Sequence, residues 1–169
     1  MMAALLQSLL RDRLGPDAVE IRSSGFGPAG MPPIEDAVEA MRRRGLDISE
    51  HRSTSTTAAL VDAADLVLTA ERAHVVKVAA LSPAAFERTM TLPEFVAATA
   101  ASPVDADADL RSAVVALTSH RTASGYLRDP VAEVADPTGS APRTFEAAVT
   151  LIEQQCRDAA TWVAARSRR

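Results

Sequence analysis

A short apolar run, Asp65-Leu-Val-Leu-Thr69, set between two helix-patterned stretches, most limits the folds open to this chain. Consecutive apolar residues without polar alternation suit a strand covered on both faces, as in the parallel sheets of α/β proteins. The preceding Thr56 to Asp62 predicts a short helix, and Glu71 to Leu81 a further helix followed by Pro83. Val19 and Ile21 alternate with Glu20 and Arg22, so Ala18 to Ser24 predicts a second strand. Arg88 to Thr91 predicts a third, before Leu92–Ala101. Strands alternating with helices argue a parallel sheet with helices on both faces.

The helices have their own signals. In Met1–Leu14, Met2, Leu5, Leu6, Leu9 and Leu10 share one face, and Gly15-Pro16 ends the run. Ile34 to Arg44 reads as a helix with Ile34, Ala37, Val38 and Met41 on its inner face, acids in its first turn and Gly45 as its stop. After a Pro-, Ala- and Asp-rich linker, Ser102–Asp109, a helix is expected over Leu110–Thr122, then a loop over Ala123–Ser140. In the closing helix Phe145, Val149, Ile152, Cys156, Ala159 and Val163 recur at helical spacing, a core stripe.

At 169 residues the chain suits one domain, with 47% hydrophobic and 24% charged residues as in ordinary globular proteins. A net charge of −4 gives no nucleic-acid footprint. The basic runs, Arg42-Arg43-Arg44 and Arg166, Arg168 and Arg169, read as solvated helix ends. One cysteine excludes an internal disulfide and fits a reducing cytoplasm. No apolar run is long enough to span a membrane, so no membrane partner is expected. The apolar start lacks the basic n-region and cleavage site of a signal peptide.

Several motifs carry chemistry less well than they first suggest. Gly25-Phe26-Gly27-Pro28-Ala29-Gly30 matches a dinucleotide fingerprint, but Pro28, Pro32 and Pro33 keep a helix from opening within it, so it reads as a plain loop. Asp105, Asp107 and Asp109 resemble the start of a calcium loop, yet Leu110 and Ala116 occupy the positions of its glycine and glutamate, leaving an acidic linker. Cys156 lies on the apolar stripe and reads as structural. His51, His74 and His120 have no ligand spacing, so neither metal nor cofactor is expected. Asp136-Pro137 opens a Gly- and Ser-containing loop just before the closing helix, which by itself is a turn.

Four stretches in order resemble the low-molecular-weight protein tyrosine phosphatase family. They are Val19-Glu-Ile-Arg-Ser-Ser-Gly25, Gly45-Leu-Asp-Ile-Ser-Glu-His-Arg-Ser53, Asp65 to His74, and Asp136-Pro137 followed by Thr144-Phe-Glu-Ala-Ala-Val149. The resemblance covers nearly the whole chain as a single domain over 1–169, with an enlarged region around 101–128. It implies a phosphotyrosine protein phosphatase I-like fold without its usual first, central strand. In that family the first strand ends in a Cys-x5-Arg loop whose amides and arginine bind phosphate and stabilise a thiolate nucleophile. By the resemblance Met2-Ala3 falls just after that loop, Asp136 is the general acid, and Ser23 and His51 brace the phosphate loop. Thr138 stands where many members carry an aromatic residue, a departure at the position that would favour phosphotyrosine.

The substrate implied is a phosphorylated protein or a small phosphate monoester. Strand, nucleophile and arginine would lie upstream of Met1, so residues 1–169 alone are expected to be inactive. Loss of a central strand would strand backbone groups on both neighbours at roughly 1–3 kcal/mol each. Met1 would also place an ammonium at the positive end of a helix dipole. A truncation or misplaced start is therefore expected rather than an evolved deletion. A non-catalytic binding or regulatory module is the alternative. An arsenate reductase relative is a distant third, since it needs a redox cysteine pair and only Cys156 is present.

Overall fold

The computed structural model describes residues 1–101 and 108–167, and the chain divides into two compact units. One comprises Met1–Thr56 with Asp136–Ala160, the other Thr57–Ala135 with Thr161–Arg169. The fold is α/β, with a parallel sheet and helices.

The second unit holds the sheet. β1 (Val67–Thr69) and β2 (Thr89–Thr91) pair in parallel, with Val67 opposite Thr89 and Thr69 opposite Thr91. Parallel neighbours need a crossover. Here it is α4 (Arg72–Leu81) and a 3₁₀ turn over Pro83–Arg88. α3 (Ala58–Ala63) precedes β1, with Thr57 capping it by accepting the Leu60 amide. α5 (Leu92–Ala101) follows β2. The core gathers Val61, Val78 and Ala85, with Val67 packed against them. Phe95 is fully buried, and its ring meets Trp162 edge-on at 5.3 Å. Val67 and Leu68 are only half-buried, whereas all three residues of β2 are buried. The double-sided cover expected of the Leu-Val-Leu run thus belongs to β2 instead.

The predicted helix Leu110–Thr122 is two helices, α6 (Leu110–Thr118) and α7 (Ala123–Arg128). Thr122 divides them because its hydroxyl accepts the Gly125 amide, an N-cap that a mid-helix threonine cannot make. α7 also replaces part of the expected loop over 123–140. Of the three aspartates in the calcium-like stretch, Asp109 caps α6 by accepting the Ser112 amide. Asp105 and Asp107, like residues 102–104 of the enlarged region, lie outside the described residues.

The first unit holds α1 (Met2–Leu14), α2 (Glu35–Arg42) and most of α8 (Pro142–Ala164). α1 buries Leu5 and Leu10. α2 ends in a Schellman turn. Leu46 donates to the Met41 carbonyl and Gly45 to that of Arg42, both at 2.9 Å, with Gly45 at φ 74°. The inner face of α2 is Ala37, Ala40 and Met41. Ile34, expected on that face, is 45% exposed, because as the extended N-cap it lies off the helical wheel. α8 buries its stripe as predicted, Phe145, Val149, Ile152, Cys156, Ala159 and Val163 all being buried.

The strand expected at Ala18–Ser24 does not form. Residues 20–24 take no regular structure; among the described residues they join no ladder, and the nearest pairing is a lone parallel bridge from Gly25 to Ser55. Alternation fits a strand to a face; without a neighbour supplying N–H and C=O groups it makes no sheet. Among the described residues no helix is long and apolar enough to cross a membrane.

Candidate active site

All three residues singled out by the family resemblance, Asp136, Ser23 and His51, lie in the first unit. Two of them come together. Ser23 and His51 line one concavity of about 450 Å³, with the first turns of α1 (Ala3, Ala4 and Gln7) and the loop residues Asp47, Ile48 and Glu50. Asp136 is not part of that lining.

Each wall follows from its local sequence. α1 starts at Met2, and the small residues Ala3 and Ala4 leave room at its N-terminal end. Asp47 accepts the Ser49 amide at 2.9 Å, and His51 donates its amide to the Ile48 carbonyl at 3.0 Å, giving two successive turns. The bonds from Ser49 hold the exposed Asp47 carboxyl below the usual carboxylate range. Arg52 folds back onto the carbonyls of Ser49 and His51, at 3.0 and 2.7 Å, which fixes the loop that carries His51. On the other side Gly25 donates to Thr54 O at 2.8 Å and Thr56 donates to Gly25 O at 2.9 Å. These bonds tether the end of the 20–24 segment and so position Ser23. The polar groups facing the space are Gln7, Ser23, Asp47, Glu50 and His51, so it offers donors and acceptors together with two carboxylates.

The neighbouring Gly25–Gly30 stretch is a loop held by Ser53. Its hydroxyl donates to Pro28 O at 2.7 Å and accepts the Met31 amide at 2.9 Å, while Gly30 donates to Ser53 O at 2.8 Å. With the Gly25 and Gly30 amides engaged by residues 53–54 and no helix opening within it, the loop lacks the geometry of a dinucleotide cradle.

Asp136 stands in a tight turn ahead of α8. Its Oδ1 accepts the Thr138 amide at 3.0 Å, and Ser140 donates to Pro137 O at 3.0 Å. Gly139 takes φ 76°, a conformation that a residue with a β-carbon rarely adopts. Asp136 is exposed while Pro137 is buried, so the turn is anchored and the carboxyl is presented. The Thr138 amide, and secondarily its side chain, hold the carboxyl below its ordinary range. The Thr138 amide was invisible in a reading by side-chain type, although Asp-Pro-Thr-Gly is the composition from which such turns are built.

Cys156, the one cysteine, is fully buried in α8. Its thiol lies 4.0 Å from the Met2 carbonyl, and burial pushes it up to about 12. It is a packing residue, as expected.

Comparison with known proteins fixes the class. The family model of low molecular weight phosphotyrosine protein phosphatases matches residues 1–108. A probable low molecular weight protein-tyrosine-phosphatase, EpsP of Ralstonia nicotianae, is 40% identical over 81 residues, 47% of this chain and 54% of that protein. The EpsP of Ralstonia solanacearum is 45% identical over 65 residues, 38% of this chain and 43% of the relative. The chain thus spans about half the length of the curated relatives it matches. Among solved structures, a YwlE mutant from Bacillus subtilis aligns at TM-score 0.69 and 21% identity, covering 96% of this chain and 87% of that one. The tyrosine phosphatase Wzb from Escherichia coli, in complex with sulphate, aligns at 0.63 and 23% identity over 95% and 89%. These two likenesses show a shared fold. With the family model covering well over half of its length, the chain belongs to the low molecular weight phosphotyrosine protein phosphatase family.

Proposed function

We propose that these residues form the body of a single phosphatase domain that hydrolyses phosphate monoesters, with Asp136 as general acid and Ser23 and His51 bracing the phosphate loop. The observation that carries the reading is the presentation of Asp136 from an anchored turn, in a chain of this family. The concavity at the N-terminal end of α1 supports it. Helix N-terminal amides carry positive potential, and by the family resemblance the phosphate loop would run directly into this helix.

The chemistry is that of phosphocysteine enzymes. As the sulfur–phosphorus bond forms, the bond from phosphorus to the leaving oxygen breaks, and that oxygen takes the proton of Asp136. Water then attacks phosphorus, gives its proton back to the Asp136 carboxylate and releases the thiolate. Within residues 1–169 no group can be that thiolate, since Cys156 is buried and holds its proton to about 12. The reading therefore requires a Cys-x5-Arg loop outside these residues, and residues 1–169 alone turn over no substrate through phosphocysteine. The substrate is a phosphorylated protein or a small phosphate ester in the cytoplasm, the compartment that suits a lone reduced thiol.

The test is p-nitrophenyl phosphate hydrolysis by a protein carrying the family's first strand and Cys-x5-Arg loop ahead of Met2. Asp136→Ala should slow it by roughly 10²–10⁴. Cys156→Ala should leave the rate as it was. A rate indifferent to Asp136→Ala overturns the assignment. Alkylation checks the thiol separately. At pH 8 Cys156 should react roughly 10³-fold more slowly in the folded chain than in the unfolded one, from its smaller thiolate fraction alone.

A further inference from the structure

Resting on the reading of Asp136 as general acid, we propose that Thr138 is its positioning residue. Its main-chain N–H holds Oδ1 of Asp136, so that the transferable proton resides on Oδ2. The geometry is a pair of interlocked turns. The Thr138 amide closes the first on Oδ1 at 3.0 Å, and the Ser140 amide closes the second on the Pro137 carbonyl at 3.0 Å. Gly139 at φ 76° lets the second turn close, and Pro137, shared by both turns, is buried.

In a neutral carboxyl the C=O oxygen is a better acceptor than the hydroxyl oxygen, so the proton settles on the oxygen that the N–H does not hold. When Asp136 protonates the leaving group, the Oδ2–H bond breaks and the leaving oxygen gains that proton, while the bond at Oδ1 is kept throughout. The carboxyl therefore need not rotate between its two roles of acid and base. The amide also favours the ionised form, as its effect on the carboxyl shows, so direction is gained at the expense of ease of protonation. Because the first contribution is main-chain, the threonine in place of the family's usual aromatic residue leaves the acid's direction intact.

The test uses residues 1–169 and nuclear magnetic resonance. The Thr138 amide and the Asp136 carboxyl should titrate with one common midpoint. Thr138→Val, which keeps the amide, should raise that midpoint slightly, and Thr138→Pro, which removes the donor, should raise it further. A Thr138 amide that stays flat through the Asp136 midpoint overturns the proposal without any variant. So does a Thr138→Pro midpoint equal to that of the parent.

In the protein bearing the nucleophile loop, Thr138→Pro should lower the plateau of kcat and move to higher pH the limb on which Asp136 loses its proton. An equal loss at every pH, with no movement of that limb, marks a merely structural turn and overturns the positioning role. Asp136→Ala separates the two ideas. If it costs nothing, the general-acid reading falls and the positioning role with it. If it is costly while the Thr138 amide is flat, the positioning role alone falls.

Discussion

Stretches with strand patterns occur in both units of this chain and meet different fates. In the second unit, Val67–Thr69 and Thr89–Thr91 pair in parallel across a helical crossover. In the first, residues 20–24 join no ladder, and the pairing closest to them is one bridge at Gly25. Alternation or apolarity prepares a segment to be a strand, and a neighbour makes it one, because its hydrogen bonds are all external. A helix carries its bonds within itself, which is why α1, α2 and α8 form in the unit where the ladder does not.

The units also differ in how they hold arginine. In the second, the Arg121 side chain is only 7% exposed, donating to the carbonyls of Thr89 and Phe86 at 3.0 and 3.1 Å and pairing with Glu94 at 3.2 Å. Its guanidinium also lies over Phe86 and Tyr126, 4.4 and 4.6 Å from the ring centres. Arg88 likewise is buried against the Ala64 and Ala84 carbonyls, at 2.9 and 2.8 Å. In the first unit Arg44 reaches one main-chain carbonyl, that of Ala40 at 3.0 Å, and pairs with two carboxylates, Glu153 and Glu146 at 2.7 Å each, tying the end of α2 to α8. One scheme leans mainly on main-chain acceptors around a strand, with one carboxylate, and the other mainly on two carboxylates of a neighbouring helix, of which Glu146 is 40% exposed.

The contrast in pairing makes the largest prediction. Amides of β2 should exchange with solvent only through global opening, at about 5 kcal/mol or more, whereas those of 20–24 should exchange at nearly the free rate. Equal protection in a hydrogen-exchange experiment on residues 1–169 would erase the difference. Next comes Arg121→Leu, which leaves Glu94 and two carbonyls without their buried partner and should cost about 3–5 kcal/mol in urea unfolding. Arg44→Met should cost less, about 2 kcal/mol, since its carboxylates can turn to water. A larger loss at Arg44 than at Arg121 would reverse the ranking of the two schemes.

Legibility followed the range of the forces involved. The α8 stripe, the glycine stop of α2 and the two paired strands were readable because each is a local pattern. Ile34 was misplaced because a periodic count continues through an N-cap that the backbone has already left. Thr122 was placed inside a helix because propensity is nearly blind to a hydroxyl's choice between the helix and a cap. Arg44, read as a solvated helix end, is 12% exposed in its side chain, since its partners are more than a hundred residues away. Of the candidate site, the identity of Asp136 was visible by resemblance, but the amide that directs it belongs to a turn and could be found only in three dimensions.

The order of residues alone specified the helix of α1, the glycine stop of α2, the apolar stripe of α8, that Cys156 is the one thiol, and to which family the chain is similar. Those properties depend on neighbours a few positions apart, and chain connectivity supplies those neighbours at no cost. Folding in space settled which extended segments became strands, which arginines were buried, that Ser23 and His51 share one concavity, and how the Asp136 carboxyl is held. Each of these needs a partner brought from elsewhere in the chain or a backbone angle set by a closed turn, and periodicity encodes neither.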